Sequence, residues 1–404
     1  MLSILQICNR FPYPPKDGGA IAMYNNTKAF YELGCKTDLL VINTKKHYVN
    51  VPELPSFFLS MLNRVEWINA NTDINPFDAF LNLFSSESYN LKRFNLKDFE
   101  SKLIDLLKNN HYDIIHIEGL FVSVYVDIIR KYSKAKISLR AHNVEYLIWE
   151  RMASSTNLLP KKWYLNLLAR RLKKFEIDVI NKVDLLVPIT ELDATIFKKH
   201  GCKSPIFVSP AGVDEETILN EPFIQTQLSL FHIGALDWMP NLQAVNWFLA
   251  EIWPLVNSKF PTLKFYIAGR RMPKKIKNMK LPNVEIVGEV DDAIKFINSK
   301  SIMIVPLLSG SGMRIKIIEG MGMGKTIIST EVGAEGIDYN ENMDILIANT
   351  PDEFLNKISF AMENPYVCEQ IGQNAINLIR TKYSNKILIG NLINYYKKIA
   401  LKSN

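Results

Sequence analysis

The sequence predicts an α/β protein of two Rossmann-like, doubly wound domains facing a central cleft. Three observations predict it. Short β-branched runs alternate with helix patterns along nearly the whole chain, the sequence form of a parallel sheet covered by helices. The rhythm breaks once, from Pro210-Ala-Gly-Val-Asp214 to about Thr226, and then resumes. The chain has 404 residues, 48% of them hydrophobic, which is ample for two cores.

The first series opens with the apolar run Ser3–Cys8. A loop from Phe11 to Gly19 leads to a helix pattern over Ala20–Leu33, which Gly34 stops. Further strands are expected at Thr37–Ile42, Asp113–Ile117, Lys136–Leu139, Val183–Ile189 and Ile206–Val208. Residues 45–95 are aromatic and irregular and give no ordered pattern. The second series places strands at Ser229–Ile233, Leu263–Ala268, Val284–Val287, Ser301–Val305 and Thr326–Ser329, with helices filling the carboxy-terminal end. The expected division is 1–212, a linker at 213–226, 227–384, and a final helix at 385–404 that packs back on the first domain. Ligands of open parallel sheets bind beyond the carboxyl ends of the strands, so each strand end is searched for chemistry.

Composition narrows the function classes. Against 41 acidic residues stand 48 basic ones, a net charge of +7 that is too weak by itself to point to nucleic acid. Cys8, Cys35, Cys202 and Cys368 lie far apart with no C-x-x-C pair, which reads as buried thiols in a reducing compartment. No segment has the length of a membrane span or the form of a secretory signal, so the expected location is the cytoplasm. Histidines 47, 111, 116, 200 and 232 show no metal-ligand spacing and fit core or surface roles; no metal is expected.

The most informative stretch is Ser309-Gly310-Ser311-Gly312-Met313-Arg314-Ile315-Lys316-Ile317-Ile318-Glu319. A hydrophobic strand runs into a glycine-serine turn, and the turn opens a helix. Free N–H groups and the helix dipole favour a phosphate there, Arg314 and Lys316 add cations, and Glu319 offers a carboxylate to sugar hydroxyls. Helical spacing sets Gly312, Lys316 and Glu319 on one face. A plain i,i+3 surface pair would explain Lys316 and Glu319 but not the two glycines at the helix start. Gly324-Lys325-Thr326 is not a P-loop, because it joins a helix to a strand and lacks the upstream glycine. No G-x-G-x-x-G follows a strand either, which argues against a dinucleotide dehydrogenase.

Two weaker signals lie in the first half. Asp17-Gly18-Gly19 precedes a helix and either lets backbone approach a diphosphate or acceptor, or simply needs positive φ. Arg140-Ala-His142-Asn143-Val-Glu145 ends a strand, where polar groups are costly unless used or paired. His142 could exchange a proton with a bound hydroxyl; the plainer reading is an Asn143 helix cap with a structural ion pair.

The motif Gly310 to Lys325, followed by Ile328-Ser-Thr-Glu-Val-Gly-Ala-Glu-Gly-Ile337, resembles the donor-site signature of family 4 glycosyltransferases (glycosyl transferase group 1), retaining enzymes of GT-B fold. Arg140 to Glu145 looks like their catalytic-histidine segment, Pro210 to Asp214 like the end of their first domain, and Ile233-Gly-Ala-Leu-Asp237-Trp238-Met-Pro240-Asn241 like the opening of their second. The resemblance implies transfer of a hexose from a UDP- or GDP-sugar to a glycan or lipid-linked acceptor, with retention, without a metal or other cofactor, in surface polysaccharide or glycoconjugate synthesis. It implies that the first domain binds acceptor and the second binds donor. Glu319 would hold ribose hydroxyls; Gly18 and Gly19 would lie near diphosphate or acceptor; His142 would contact the transferred sugar; Arg314 and Lys316 would neutralise the departing diphosphate. Gly310, Ser311, Gly312 and Met313 would complete the donor loop, with Arg140, Asn143, Glu145, Asp237 and Glu335 as secondary candidates. Ser311 stands where the family usually has a sugar-binding carboxylate, and Asp237-Trp238-Met239 replaces the Arg and Lys often found there. These departures keep two alternatives open: a catalytically weak nucleotide-sugar-binding protein, and a sugar-nucleotide epimerase of the same fold.

The helix pattern Lys161-Lys162-Trp163-Tyr164 to Arg170-Arg171-Leu172-Lys173-Lys174 is basic and aromatic. It offers a peripheral membrane contact, against the plainer reading of a solvated face with Trp163 in the core.

Overall fold

A computed structural model describes residues 1–404 except 17, 155, 157, 215, 217, 219–227, 311 and 402–404. It divides into one unit of Met1–Pro210 with Leu388–Asn404, and a second of Ala211–Ile387. Much of the linker predicted at 213–226 lies outside the described residues.

The first unit holds β1 (Ser3–Cys8), β2 (Lys36–Thr44), β3 (Arg64–Ala70), β4 (Ile114–Glu118), β5 (Lys136–Ala141) and β6 (Leu185–Pro188). The second holds β7 (Leu230–Ile233), β8 (Phe265–Ala268), β9 (Val284–Gly288), β10 (Ile302–Val305), β11 (Thr326–Ser329) and β12 (Leu346–Ile347). Every pairing is parallel, in the orders β3-β2-β1-β4-β5-β6 and β12-β11-β10-β7-β8-β9. Both orders run outward in two directions from the first strand of their unit, so each sheet reverses once, between β1 and β4 and between β7 and β10. These are the two doubly wound sheets expected, and each has one switch point at which ligands of this fold class bind.

Alternation along the strands sorts the first sheet into two unlike faces. Leu5, Ile7, Ile115, Ile117, Ile137 and Leu139 build an apolar core on one side. The other face carries Gln6, His116, Glu118, Ser138 and Arg140, all fully buried. The final helix, Asn385–Leu401, covers it, packing Ile389, Leu392, Ile393 and Tyr396 against Ile4, Ile114, Leu185 and Val187. In the second unit Leu230, Phe265, Ile267, Ile302, Ile304 and Ile328 share one core with Phe248, Trp253 and Phe354.

Three sequence expectations are corrected. The irregular region contains an ordered edge strand, β3, whose outer side is half-exposed and therefore lacks an apolar run. Ile206–Val208 is no strand: Ile206 makes a single bridge to Leu186, beside Pro205, which has no N–H to extend a ladder. Trp163 is not a core residue but is 61% exposed.

Candidate functional site

Both switch points carry polar side chains, and each unit is described in turn. In the second unit β10 ends at Val305, and the loop that follows reaches the helix Ile315–Gly322. Gly310 has φ 129° and Gly312 φ 79°, conformations that favour glycine. A Cβ on Gly310 would fall 2.3 Å from the Arg314 guanidinium, which lies over the Trp238 ring at 4.9 Å. The helix starts at Ile315 with Arg314 as its N-cap, so Gly312 precedes it and does not share its Lys316–Glu319 face. Met313 lies in the same approach to the helix; Ser311, like Asp17, is outside the described residues.

Lys316 donates from Nζ to Asn241 Oδ1 at 3.1 Å, and Asn241 Nδ2 donates to the Ala235 carbonyl at 2.9 Å. The loop after β7 is thus tied to the helix after β10, across the switch point. Burial, and then the charge of Arg314, lowers the Lys316 pKa to about 7. Burial raises Glu319 to about 7, and its carboxylate has no hydrogen-bond partner among the described residues. A partly buried cation and a partnerless carboxylate, one helical turn apart, are costly in an empty protein and useful to a ligand that is anionic at one end and hydroxylated at the other.

His232, on β7, was given only a core or surface role by sequence. It is buried, donates from Nδ1 to the Ile304 carbonyl at 2.9 Å, and among the described residues leaves Nε2 without a partner. Burial and the nearby Lys316 charge hold it well below the usual histidine range, so it is neutral and Nε2 is an acceptor. The other candidates are peripheral. Asp237 pairs with Arg271 at 3.0 Å, and Glu335 lies in the turn after β11. Gly324 (φ 68°) closes the helix in a Schellman arrangement, with Lys325 N–H on the Gly320 carbonyl and Gly324 N–H on the Met321 carbonyl. Lys325 Nζ reaches the Asn298 and Lys300 carbonyls, a structural role that agrees with excluding a P-loop.

The floor of this site is tightly packed. A Cβ on Gly269, just after β8, would lie 1.9 Å from the Gly234 carbonyl oxygen. Gly269→Ala is expected to cost about 2–3 kcal/mol through forced backbone shift, seen as a lower urea midpoint at unchanged m-value.

In the first unit the switch point centres on Glu118, a residue that sequence reasoning passed over. Its Oε1 accepts from Asn26 Nδ2 (2.8 Å), His116 Nε2 (3.0 Å) and Gln6 Nε2 (3.1 Å), and its Oε2 from His142 Nε2 (2.9 Å). Burial alone would raise this carboxyl; His116 and His142 outweigh it and hold Glu118 well below the usual carboxylate range. Because the acceptor is ionised, Nε2 of His142 is the donor in this bond. His116 Nδ1 meets Tyr396 Oη at 2.7 Å, and Tyr396 Oη donates to Ser138 Oγ at 2.8 Å. Arg140 is buried and donates from Nη2 to the Pro210 carbonyl at 3.2 Å; it supports Glu118 through charge and does not reach solvent.

Asn143 is not the cap of the next helix, Glu145–Ser154. The Glu176 carboxylate takes the Glu145 and Tyr146 N–H groups at 3.0 and 3.1 Å, while Asn143 Nδ2 donates to Glu145 Oε1 at 3.3 Å. Burial raises both Glu145 and Glu176. Gly18 and Gly19 are the first residues of the helix Gly18–Glu32 and so belong to the helix and not to the loop before it. Among the described residues no group of three His, Cys, Asp or Glu side chains is arranged to hold a metal ion.

Residues 227–364 match the family model Glycosyl transferases group 1. An uncharacterised 44.6 kDa protein of the Klebsiella pneumoniae cps region is 23% identical over 402 residues, covering 96% of this chain and 97% of its own. Among solved structures, sucrose-phosphate synthase of Thermosynechococcus elongatus superposes with a TM-score of 0.70 at 13% identity, covering 99% of each chain. HepE of Anabaena, solved in complex with UDP, superposes with a TM-score of 0.69 at 11% identity, covering 98% of this chain and 100% of that one. The fold is GT-B.

Proposed function

We propose that the protein is a glycosyltransferase that moves a sugar from a nucleoside-diphosphate donor to a glycan or lipid-linked acceptor in surface polysaccharide synthesis. The observation that carries this reading is the Lys316–Glu319 helix at the switch point of the second sheet. The match of residues 227–364 to a glycosyltransferase model covers that helix. The cps-region relative supports the polysaccharide setting, and the UDP in HepE supports a uridine donor.

In this reading Lys316 and the loop Gly310–Met313 hold the diphosphate, with Arg314 adding positive potential beside them. Glu319 accepts from ribose hydroxyls, which converts its partnerless carboxylate into a paired one. The bond from the anomeric carbon to the departing phosphate oxygen breaks, a bond to the acceptor oxygen forms, and the acceptor's hydroxyl proton passes to the departing phosphate oxygen. Negative charge grows on the diphosphate, where the Lys316 cation offsets it. No side chain among the described residues presents itself as a covalent nucleophile, so a double displacement is not part of this reading; the retention that the family resemblance implies would follow from attack by the acceptor on the face the diphosphate leaves. His142, held by Glu118 through Nε2, presents Nδ1 to a hydroxyl of the sugar or acceptor, and Glu118 stabilises the imidazolium whenever Nδ1 takes a proton.

His142→Ala is expected to lower turnover by about 10²–10³-fold while the affinity for UDP, measured by calorimetry, stays within a few-fold. Wild-type turnover in that variant would remove His142 from the reaction. Release of UDP from a UDP-sugar only when acceptor is added identifies a transferase; acceptor-independent conversion identifies an epimerase.

A further inference from the structure

The first unit carries an amphipathic element turned inside out. Residues 77, 80, 81 and 84 follow the i, i+3, i+4, i+7 spacing that ordinarily faces a core. Here the short helix Pro76–Leu81 and the turn Asn82–Phe84 present that stripe to solvent: Phe77 is 66% exposed, Phe80 57% and Phe84 82%. Asn82 is buried instead, while Asp78 is exposed; the Asn82 carbonyl accepts from Arg171 Nη1 at 2.8 Å and the Leu83 carbonyl from Nη2 at 3.0 Å. Two anchors lay the element along the helix Leu159–Ile180. Arg171 holds one end, and Tyr89 Oη, on the short helix Tyr89–Lys92 that packs against the long one, is bonded to the Asn75 N–H and carbonyl and holds the other. The amino-terminal end of that long helix exposes Leu159 and Trp163 beside the exposed cations Lys161 and Lys162.

We infer that this surface docks on an anionic lipid bilayer. Large aromatic and aliphatic side chains held outward by buried polar anchors are suited to the boundary between head groups and acyl chains, where tryptophan is also favoured. Lys161 and Lys162 supply charge complementary to acidic head groups, each worth roughly five-fold in partitioning near the surface. A second copy of the chain fits less well, because a two-fold interface sets the same patch on itself and brings the lysine pairs together. The acidic Asp78 lies in the first turn of its helix, where it complements the dipole. No helix among the described residues is long and apolar enough to cross a membrane, so the contact is peripheral. The surface shares no residue with the nucleotide site and does not depend on the transferase reading.

Cosedimentation with vesicles tests this. The intact protein is expected to pellet with phosphatidylcholine vesicles containing phosphatidylglycerol, much less with phosphatidylcholine alone, and less in high salt. The combined F77S, F80S and F84S variant should partition at least about 100-fold more weakly at an unchanged melting temperature, since the rings are exposed. Lys161→Gln with Lys162→Gln should lose about 30-fold. Wild-type protein that ignores anionic vesicles, or phenylalanine and lysine variants that bind as wild type does, would overturn the inference. So would a wild-type dimer that the phenylalanine variant dissolves into monomers, which would make the surface a self-interface.

Discussion

Lys316→Ala is expected to reduce turnover by about 10²–10³-fold with the fold intact, because it removes a fixed cation from the place where diphosphate charge develops. The ammonium is partly buried and among the described residues is bonded to one side-chain oxygen, the neutral amide of Asn241, so its loss strands no charge there. Its chemistry also predicts a proton signature. Burial and Arg314 depress the Lys316 pKa to about 7, below the ordinary value for lysine of about 10.4. Between those two values the unfolded chain holds a proton that the folded protein lacks, so this group makes stability rise with pH across that window. A diphosphate set beside Lys316 restores its charge. Binding at about pH 8 should therefore take up close to one proton, read by titration calorimetry in two buffers of different ionisation enthalpy. At about pH 6, where Lys316 is already charged, its uptake should vanish. In Lys316→Ala the uptake at pH 8 should be absent.

Glu118→Ala should cost about 3–5 kcal/mol of stability, the penalty for stripping a buried charge from partners built around it. Asn26, Gln6 and His116 would be left as buried donors, and Arg140 would lose the anion that offsets its own burial. The pH dependence has a definite sign. A carboxyl whose folded pKa is depressed contributes stability that is fully present above its unfolded value and is lost as pH falls through that value toward the folded one. The variant should therefore show a flatter acid limb than wild type when melting temperature is followed from about pH 6 down to about pH 2. Glu118→Gln keeps the shape and part of the bonding, so it should recover stability while leaving His142 without its anionic partner. A loss of turnover in Glu118→Gln that exceeds its loss of stability would separate positioning of His142 from mere support of the sheet. Equal acid limbs in wild type and Glu118→Ala would contradict the ionised state assigned to Glu118.

Much of the fold was legible because parallel strands buried on both faces read as apolar runs. β1, β4, β5 and β11 announce themselves in this way, and Gly34 and Gly324 mark helix ends through a φ that other residues resist. What could not be read has physical reasons. β3 lies at an edge, with alternating exposure and no apolar run. β12 has two residues, too few for any period. Around the helix Ile315–Gly322, local chemistry was readable: Gly310, Gly312, Arg314, Lys316 and Glu319 sit within one turn and one helix. The environment of His142 was not. Its partner Glu118 comes from another strand, and Tyr396, which closes the same network, joins His116 across 280 positions of sequence. A signal was nonetheless present. His116 and Glu118 are two apart in a strand that is otherwise apolar, so both fall on one buried face, and a buried carboxylate there must have partners.

The central claim is that the helix Ile315–Gly322 receives a nucleoside diphosphate, with Lys316 at the phosphates and Glu319 at the ribose. Thermal unfolding with UDP, GDP and their sugars, in wild type, Lys316→Ala and Glu319→Gln, tests it most directly. A ligand at about 100 times its dissociation constant adds roughly 2.7 kcal/mol of stability. The account predicts a clear upward shift of wild type with at least one of these nucleotides, and its loss or strong reduction in both variants. No shift with any of them, or an equal shift in all three proteins, would contradict it.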